Sequence, residues 1–187
     1  FFYYSYIDSL KNIWLATSQA IWHIEASSPF IKYLKESIED IHSHQSGVFI
    51  TVSKASNFLY WLPNNSKALT KIDIGDKAKA IQTFSDDELM VSGRKGVYLV
   101  NFREGGVKKV ADKIMVSYIK LDKKKQLAYF SSHNGLSVYK YTQSGEFTKV
   151  MDFGDKEALI ISLEIVNGDL WVGSKKPGLY RYKIDYE

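Results

Sequence analysis

Asn167-Gly168-Asp169-Leu170-Trp171-Val172-Gly173-Ser174-Lys175-Lys176-Pro177-Gly178-Leu179-Tyr180-Arg181-Tyr182 reads as a turn, a short apolar strand, a second turn and a second strand that ends in aromatics. Weaker copies run back through the chain. With Trp171 as the reference, Trp14, Phe49, Met90 and Ala128 take the same place, at successive spacings of 35, 41, 38 and 43 residues. A repeat of about 40 residues built from four short strands predicts the blades of a β-propeller.

Read in order, the first unit offers strands at Ser5–Asp8, Ile13–Thr17, Ala20–Ile24 and Phe30–Leu34. The second turns at Gln45-Ser46-Gly47 and continues through Val48–Val52, Phe58–Leu62 and Ala68–Ile72. Ahead of it, Glu36–Ile41 is either a helical turn or a polar connection. The third has Ala80–Phe84, Leu89–Ser92, Gly96–Val100 and Val107–Val110. Met115–Leu121, Gln126–Ser131, Gly135–Tyr141 and Phe147–Val150 make the fourth; Leu159–Ile165, Leu170–Ser174 and Gly178–Tyr182 belong to the fifth. No 3.6-residue apolar period persists for three turns, so the fold class is all-β. The expected division is a single propeller region over 1–187, with blades at about 1–38, 39–76, 77–112, 113–152 and 153–187. Because the fifth unit stops short of a fourth strand, the expectation is an arc of a larger propeller, a small five-bladed ring being the alternative.

Position within a blade explains residue type. A second strand covered on both sides by neighbouring blades is apolar throughout, as in Ile13-Trp14-Leu15-Ala16 and Leu170-Trp171-Val172-Gly173. The small residue that follows (Ala16, Thr51, Ser92, Gly173) admits a neighbouring backbone. Gly96, Gly135 and Gly178 open the third strands, where a positive φ is expected. Lys32, Lys71, Lys108, Lys109 and Lys149 fall on outer strands, where lysine opposes edge-to-edge association.

Composition narrows the functional classes. The chain has 187 residues, no cysteine, a net charge of +4 and a 14% aromatic share. Disulfides, thiolate metal sites and a cysteine nucleophile are excluded. The lysines are spread along the chain, which argues against nucleic acid, and no apolar run has the length of a membrane span.

The last unit resembles the two-component regulator propeller repeat, an acidic or Gly-rich turn followed by Leu-Trp-Val-Gly-Thr and then Gly-Leu with Tyr or Phe. Asn167-Gly168-Asp169-Leu170-Trp171-Val172-Gly173-Ser174 and Gly178-Leu179-Tyr180 carry the likeness, and Asn12-Ile13-Trp14-Leu15-Ala16-Thr17 carries it in part. The resemblance implies a periplasmic or extracellular, non-catalytic, ligand-sensing region of a hybrid two-component system, often responsive to carbohydrate. The repeated residues are structural, so no ligand site is carried over with them.

Candidate chemistry is sparse. His42-Ser43-His44 sets two imidazoles two residues apart without a third ligand, and is expected as exposed turn histidines. Asp86-Asp87 and Asp152 with Asp155 fall in turns, and no phosphate loop or nucleophile elbow is present. No catalytic residue, metal or cofactor is expected. One pattern is less ordinary. The turns between second and third strands hold Lys54, Asn57, Arg94, Lys95, His133, Asn134, Lys175 and Lys176, while those between first and second strands hold Asp8, Asp86, Asp87, Glu88, Asp122 and Asp169. In a propeller these two sets leave opposite faces of the disc. A basic, amide-rich face is expected to receive a glycan or another polar or anionic ligand. Further propeller blades or a second copy are the other partners expected. The competing functions are an intracellular protein–protein scaffold, and an enzyme such as a polysaccharide lyase or glycosidase.

Overall fold

The computed structural model describes residues 2–9, 12–17, 20–24, 31–53, 56–112, 115–132, 135–153, 160–175 and 178–183. Five antiparallel sheets follow one another along the chain. The first comprises β1 (Phe2–Ile7), β2 (Ile13–Thr17), β3 (Ile21–Ile24) and β4 (Ile31–Leu34); the second β5 (Ile38–His44), β6 (Gly47–Val52), β7 (Phe58–Pro63) and β8 (Thr70–Asp73). The third holds β9 (Ile81–Thr83), β10 (Glu88–Ser92), β11 (Gly96–Asn101) and β12 (Gly106–Asp112). The fourth holds β13 (Val116–Asp122), β14 (Leu127–Ser132), β15 (Gly135–Tyr141) and β16 (Phe147–Phe153). In the fifth, three strands are described: β17 (Ile160–Val166), β18 (Asp169–Ser174) and β19 (Leu179–Lys183). Every sheet is a meander in chain order, and the first strands of four sheets, with the segment just ahead of β9 in the third, line one central cavity. The fold is a five-bladed β-propeller.

The core lies between the sheets. Trp14 of β2 is buried with Val48 and Ile50 of β6, and Phe49 of β6 with Leu89 and Val91 of β10. Met90 is buried with Ala128 and Phe130 of β14, and Tyr129 with Leu170 and Val172 of β18. Each second strand thus alternates between the blade before it and the blade after it, which is why β6 is buried at all six positions. This corrects the alignment of the fourth unit. Ala128 faces the third sheet, and Tyr129 is the counterpart of Trp14 and Trp171. A step of one residue transfers a strand side chain to the other face, and repeat spacing alone does not resolve it.

Two further expectations change. Glu36–Ile41 is neither helix nor plain connection, because Ile38–His44 forms the inner strand of the second sheet. Gly135 and Gly178 do have positive φ, at 102° and 130°, but Gly96 does not. Gly96 is needed for space: a Cβ there would run into the Ala111 carbonyl of the adjacent β12. The edge lysines are paired as well as exposed. Lys71 lies 5.5 Å from the Phe58 ring, Lys108 meets Glu146 of the next sheet, and Lys149 meets Asp152. The side chain of Lys32 lies outside the described residues.

Candidate functional site

The inner strands carry a shared irregularity. Pairing between first and second strands slips by one residue between Phe2 and Tyr4, Ile38 and Asp40, Val116 and Tyr118, and Ile160 and Ser162. A β-bulge of this kind adds one unpaired residue and re-aims the side chains beside it. Three of the skipped residues, Glu39, Ser117 and Ile161, line the central cavity. Small hydroxyl residues near the ends of the second strands hold the starts of inner strands or the segment leading into them, at a bulge in the case of Ser131. Ser131 Oγ accepts the Tyr118 amide at 3.0 Å, Ser92 Oγ accepts the Ala80 amide at 2.9 Å, and Thr51 Oγ1 donates to the Lys79 carbonyl at 2.5 Å. These small side chains therefore give hydrogen bonds in addition to the close approach expected of them.

The cavity has a volume of about 370 Å³. Tyr4 comes from the first sheet, Glu39 and Asp40 from the second, Lys79 and Ala80 from the approach to β9, Ser117 and Tyr118 from the fourth, and Ile160, Ile161 and Lys175 from the fifth. All except Lys175 stand at the beginning of an inner strand or just before it. Lys175 follows the end of β18. Antiparallel pairing puts both locations at the same end of the blades, so the cavity opens on the face from which the turns between second and third strands emerge.

Its electrostatics are mixed. Burial pushes the Asp40 carboxyl up to about 6, opposed in part by two backbone donors: the Ile81 amide on Oδ2 and the Ile41 amide on Oδ1, both at 2.9 Å. The phenols of Tyr4 and Tyr118 are raised above their ordinary value by desolvation, then by Asp40. Both phenols are thus neutral O–H groups at physiological pH, able to donate to a ligand oxygen. Lys79 and Lys175 balance Glu39 and Asp40 in formal charge.

Among the residues expected to bind, Lys175 lines this cavity. Arg94 and Lys95 are exposed at the turn between β10 and β11, and Asn57 is exposed just ahead of β7. Lys54, His133, Asn134 and Lys176 lie outside the described residues. The turn bearing Arg94 and Lys95 is anchored by Asp76, which is only 3% exposed. Its carboxylate accepts the Lys95 amide at 2.7 Å, the Lys77 amide at 2.8 Å and the Tyr98 hydroxyl at 3.0 Å. On the opposite face, several acidic residues serve the turns themselves. Asp122 is buried and accepts the amides of Lys124 and Lys125, and Asp8 accepts the Trp14 indole N–H at 3.0 Å. Asp87 and Asp169 form ion pairs with Arg103 and Arg181.

The histidine pair departs from expectation. His42 sits within β5, its Nε2 2.7 Å from Thr83 Oγ1 of the third sheet, and burial, with a smaller effect of His44, lowers it to about 4. His44 is half-buried, with Nδ1 accepting the Ser46 amide. These are inter-blade and turn contacts rather than exposed turn side chains. Among the described residues no group of three or more His, Cys, Asp or Glu is placed to hold a metal ion.

The cavity residues Tyr4, Glu39, Asp40, Lys79 and Tyr118 were not singled out from the sequence. One signal for them was present: aligning the starts of first strands, as opposed to the turns, brings Tyr4, Asp40 and Tyr118 into one column of polar residues.

No protein-family model and no curated protein matches the chain. Solved structures do match. The extracellular domain of a putative hybrid two-component system from B. thetaiotaomicron is similar over 98% of this chain and 26% of its own length, with 18% identity and a TM-score of 0.77. A second such extracellular domain from the same organism covers 98% of this chain and 27% of its own, with 14% identity and a TM-score of 0.73. A virginiamycin B lyase from Staphylococcus aureus covers 99% of this chain and 70% of its own, with 11% identity and a TM-score of 0.71. The chain spans roughly a quarter of the length of those extracellular domains. The likeness is one of fold: a β-propeller shared with extracellular domains of two-component systems and with lyases.

Proposed function

We propose that the chain is a non-catalytic, ligand-binding β-propeller, and that it forms the periplasmic or extracellular sensor part of a signalling protein. The observation that carries this reading is the convergence of bulged inner strands on one polar cavity, where side chains from all five sheets can contact a single molecule. A ligand there would touch every blade and bias their arrangement, as a sensor requires. The lining suits a hydroxyl-rich molecule. Tyr4 and Tyr118 offer ring faces and O–H donors, Lys79 and Lys175 offer cationic donors, and Glu39 offers an acceptor. The exposed turns with Arg94, Lys95 and Asn57 extend the same face and favour a glycan that also carries anionic groups.

The extracellular domains of two-component systems from B. thetaiotaomicron support the reading through shared fold. The lyase neighbours raise an enzymatic alternative, and the Asp40 carboxyl near 6 inside the cavity gives it one specific feature. Against it, both Asp40 oxygens already accept backbone amides, so the group is occupied in joining sheets.

Calorimetric titration of the purified chain with neutral and uronate-containing oligosaccharides tests the proposal. Binding should weaken at least tenfold in Tyr118→Ala and in Lys175→Ala, while the oligosaccharides stay intact by chromatography. Unchanged binding in both variants, with their folding preserved, would remove the ligand from the cavity. Release of shortened products would establish the enzyme reading instead.

A further inference from the structure

The cavity lining carries charge of both signs, Glu39 and Asp40 against Lys79 and Lys175. Glu39 is the bulge residue of β5, between the paired positions Ile38 and Asp40, and its side chain is 32% exposed. Lys77 Nζ stands 3.9 Å from Glu39 Oε2, beyond hydrogen-bond reach, so that contact leaves the acceptor sites of the carboxylate open. Asp40 uses one acceptor site of each oxygen for the Ile81 and Ile41 amides and retains the other. Desolvation is the main cause that raises the phenols of Tyr4 and Tyr118; Asp40 and Glu39 both add to it, which puts negative potential at these hydroxyls. Ser117, the bulge residue of β13, brings one more hydroxyl to the same lining.

A glycan with anionic groups alone would press its charge against two carboxylates, a like-charge contact that weakens binding. A neutral glycan would cover all four charged side chains without a counter-charge for any of them. We propose that the ligand is a zwitterionic sugar: a free amino group held by Glu39, Asp40 and the phenol oxygens of Tyr4 and Tyr118, with a carboxylate held by Lys79 and Lys175. The inference rests on the ligand-binding reading of the cavity. An ammonium has three donors and no acceptor, and carboxylates, phenols and a serine hydroxyl can all accept from it. Acetylation of that nitrogen removes its charge and leaves a single N–H, so the carboxylates would meet one weaker, neutral donor. Because Asp40 also joins two sheets, Glu39 is the residue through which the amino group can be tested.

Calorimetric titration with three matched disaccharides provides the test: glucosamine linked to glucuronate with its amino group free, the N-acetylated form, and the form whose carboxylate is reduced to an alcohol. Wild type should bind the free-amine disaccharide at least about tenfold more tightly than either of the others, as the loss of one charge-assisted hydrogen bond requires. Glu39→Gln preserves side-chain size at a partly exposed position, and should bind the free-amine and N-acetylated forms within about threefold of each other. Lys175→Ala should lose the preference for the carboxylate over the alcohol. Circular dichroism verifies that both variants remain folded. Equal wild-type binding of the free-amine and N-acetylated forms overturns the proposal and leaves the ligand-binding reading standing. A full preference for the amine that persists in Glu39→Gln overturns the placement of the amino group. A dipeptide that binds more tightly than the free-amine disaccharide overturns the sugar, since the same two charges would then be recognised on a peptide. Absence of binding by all three disaccharides and by neutral oligosaccharides removes the ligand-binding reading itself.

Discussion

Asp40 Oδ2 in the inner strand of the second sheet accepts the amide of Ile81 in the inner strand of the third, at 2.9 Å, while Oδ1 holds the amide of Ile41 in its own strand. Two residues further along β5, His42 Nε2 reaches Thr83 Oγ1 of the third sheet at 2.7 Å. Two titratable groups therefore join the same pair of blades, and their protonation is shifted in opposite directions.

Asp40 is raised to about 6, so the folded state holds its proton where the unfolded chain has released it; its contribution to stability falls as pH rises from about 4 to 6. His42 is lowered to about 4, so the unfolded chain takes up a proton first; its contribution falls as pH drops from about 6.5 to 4. The windows overlap and the effects oppose one another, with Glu39 and His44 as the neighbouring charges. Replacing His42 by Gln, which can keep the Thr83 hydrogen bond, should unmask Asp40. Between pH 7 and pH 5 the variant should gain stability relative to wild type by on the order of 2 kcal/mol. Urea denaturation at the two pH values measures it, and a difference independent of pH would contradict the assignment.

Burial separates Tyr129 from Trp171, although both stand at the same level of the repeat. Tyr129 is fully buried and Trp171 half-buried. Tyr129→Ala and Phe49→Ala should each cost about 3–5 kcal/mol, the usual range for removing a buried aromatic side chain. Trp171→Ala should cost clearly less. Equal losses in chemical denaturation would mean that Trp171 is packed as the others are.

Gly96 tests steric need apart from backbone sign. Its φ is ordinary, yet a methyl group would collide with the Ala111 carbonyl, which belongs to backbone and cannot swing aside. Gly96→Ala should destabilise by about 1–3 kcal/mol, as over-packing does. No loss of thermal stability would show that β12 can move away from β11.

Asp76 carries three donors in a buried site, so its removal should exceed that of any single partner. Asp76→Ala leaves the Tyr98 hydroxyl and the amides of Lys77 and Lys95 without their acceptor, at a cost of about 3 kcal/mol or more. Tyr98→Phe removes one bond only and should cost about 1 kcal/mol. The same Asp76 variant should loosen the Arg94–Lys95 turn, seen as faster amide exchange at Lys95 than at the buried strand residues. Retained protection there would show that the turn holds without the carboxylate.

Strand positions were legible wherever local pattern determines them. Leu89–Ser92 and Gly135–Tyr141 fall where alternation and turn residues put them, because an apolar run of five or six residues between turns is stable only when both faces are covered. Lys175 was legible as a residue of a turn between second and third strands. Asp40 was not, since the polar run Glu36–Ile41 resembles a connection until its pairing with β6 is known.

The sequence by itself determined the repeat, the all-β class and the order of strands within each sheet, because these follow from local apolar periodicity and turn chemistry. Tertiary structure alone decided that Tyr129 and not Ala128 meets the fifth sheet, that four inner strands bulge, and that Tyr4, Asp40 and Tyr118 gather around one cavity. The reason is physical. Strand formation depends on near neighbours, whereas the face a residue presents depends on a register of one residue, and a site shared by five blades exists only once all five inner strands are set around a common axis.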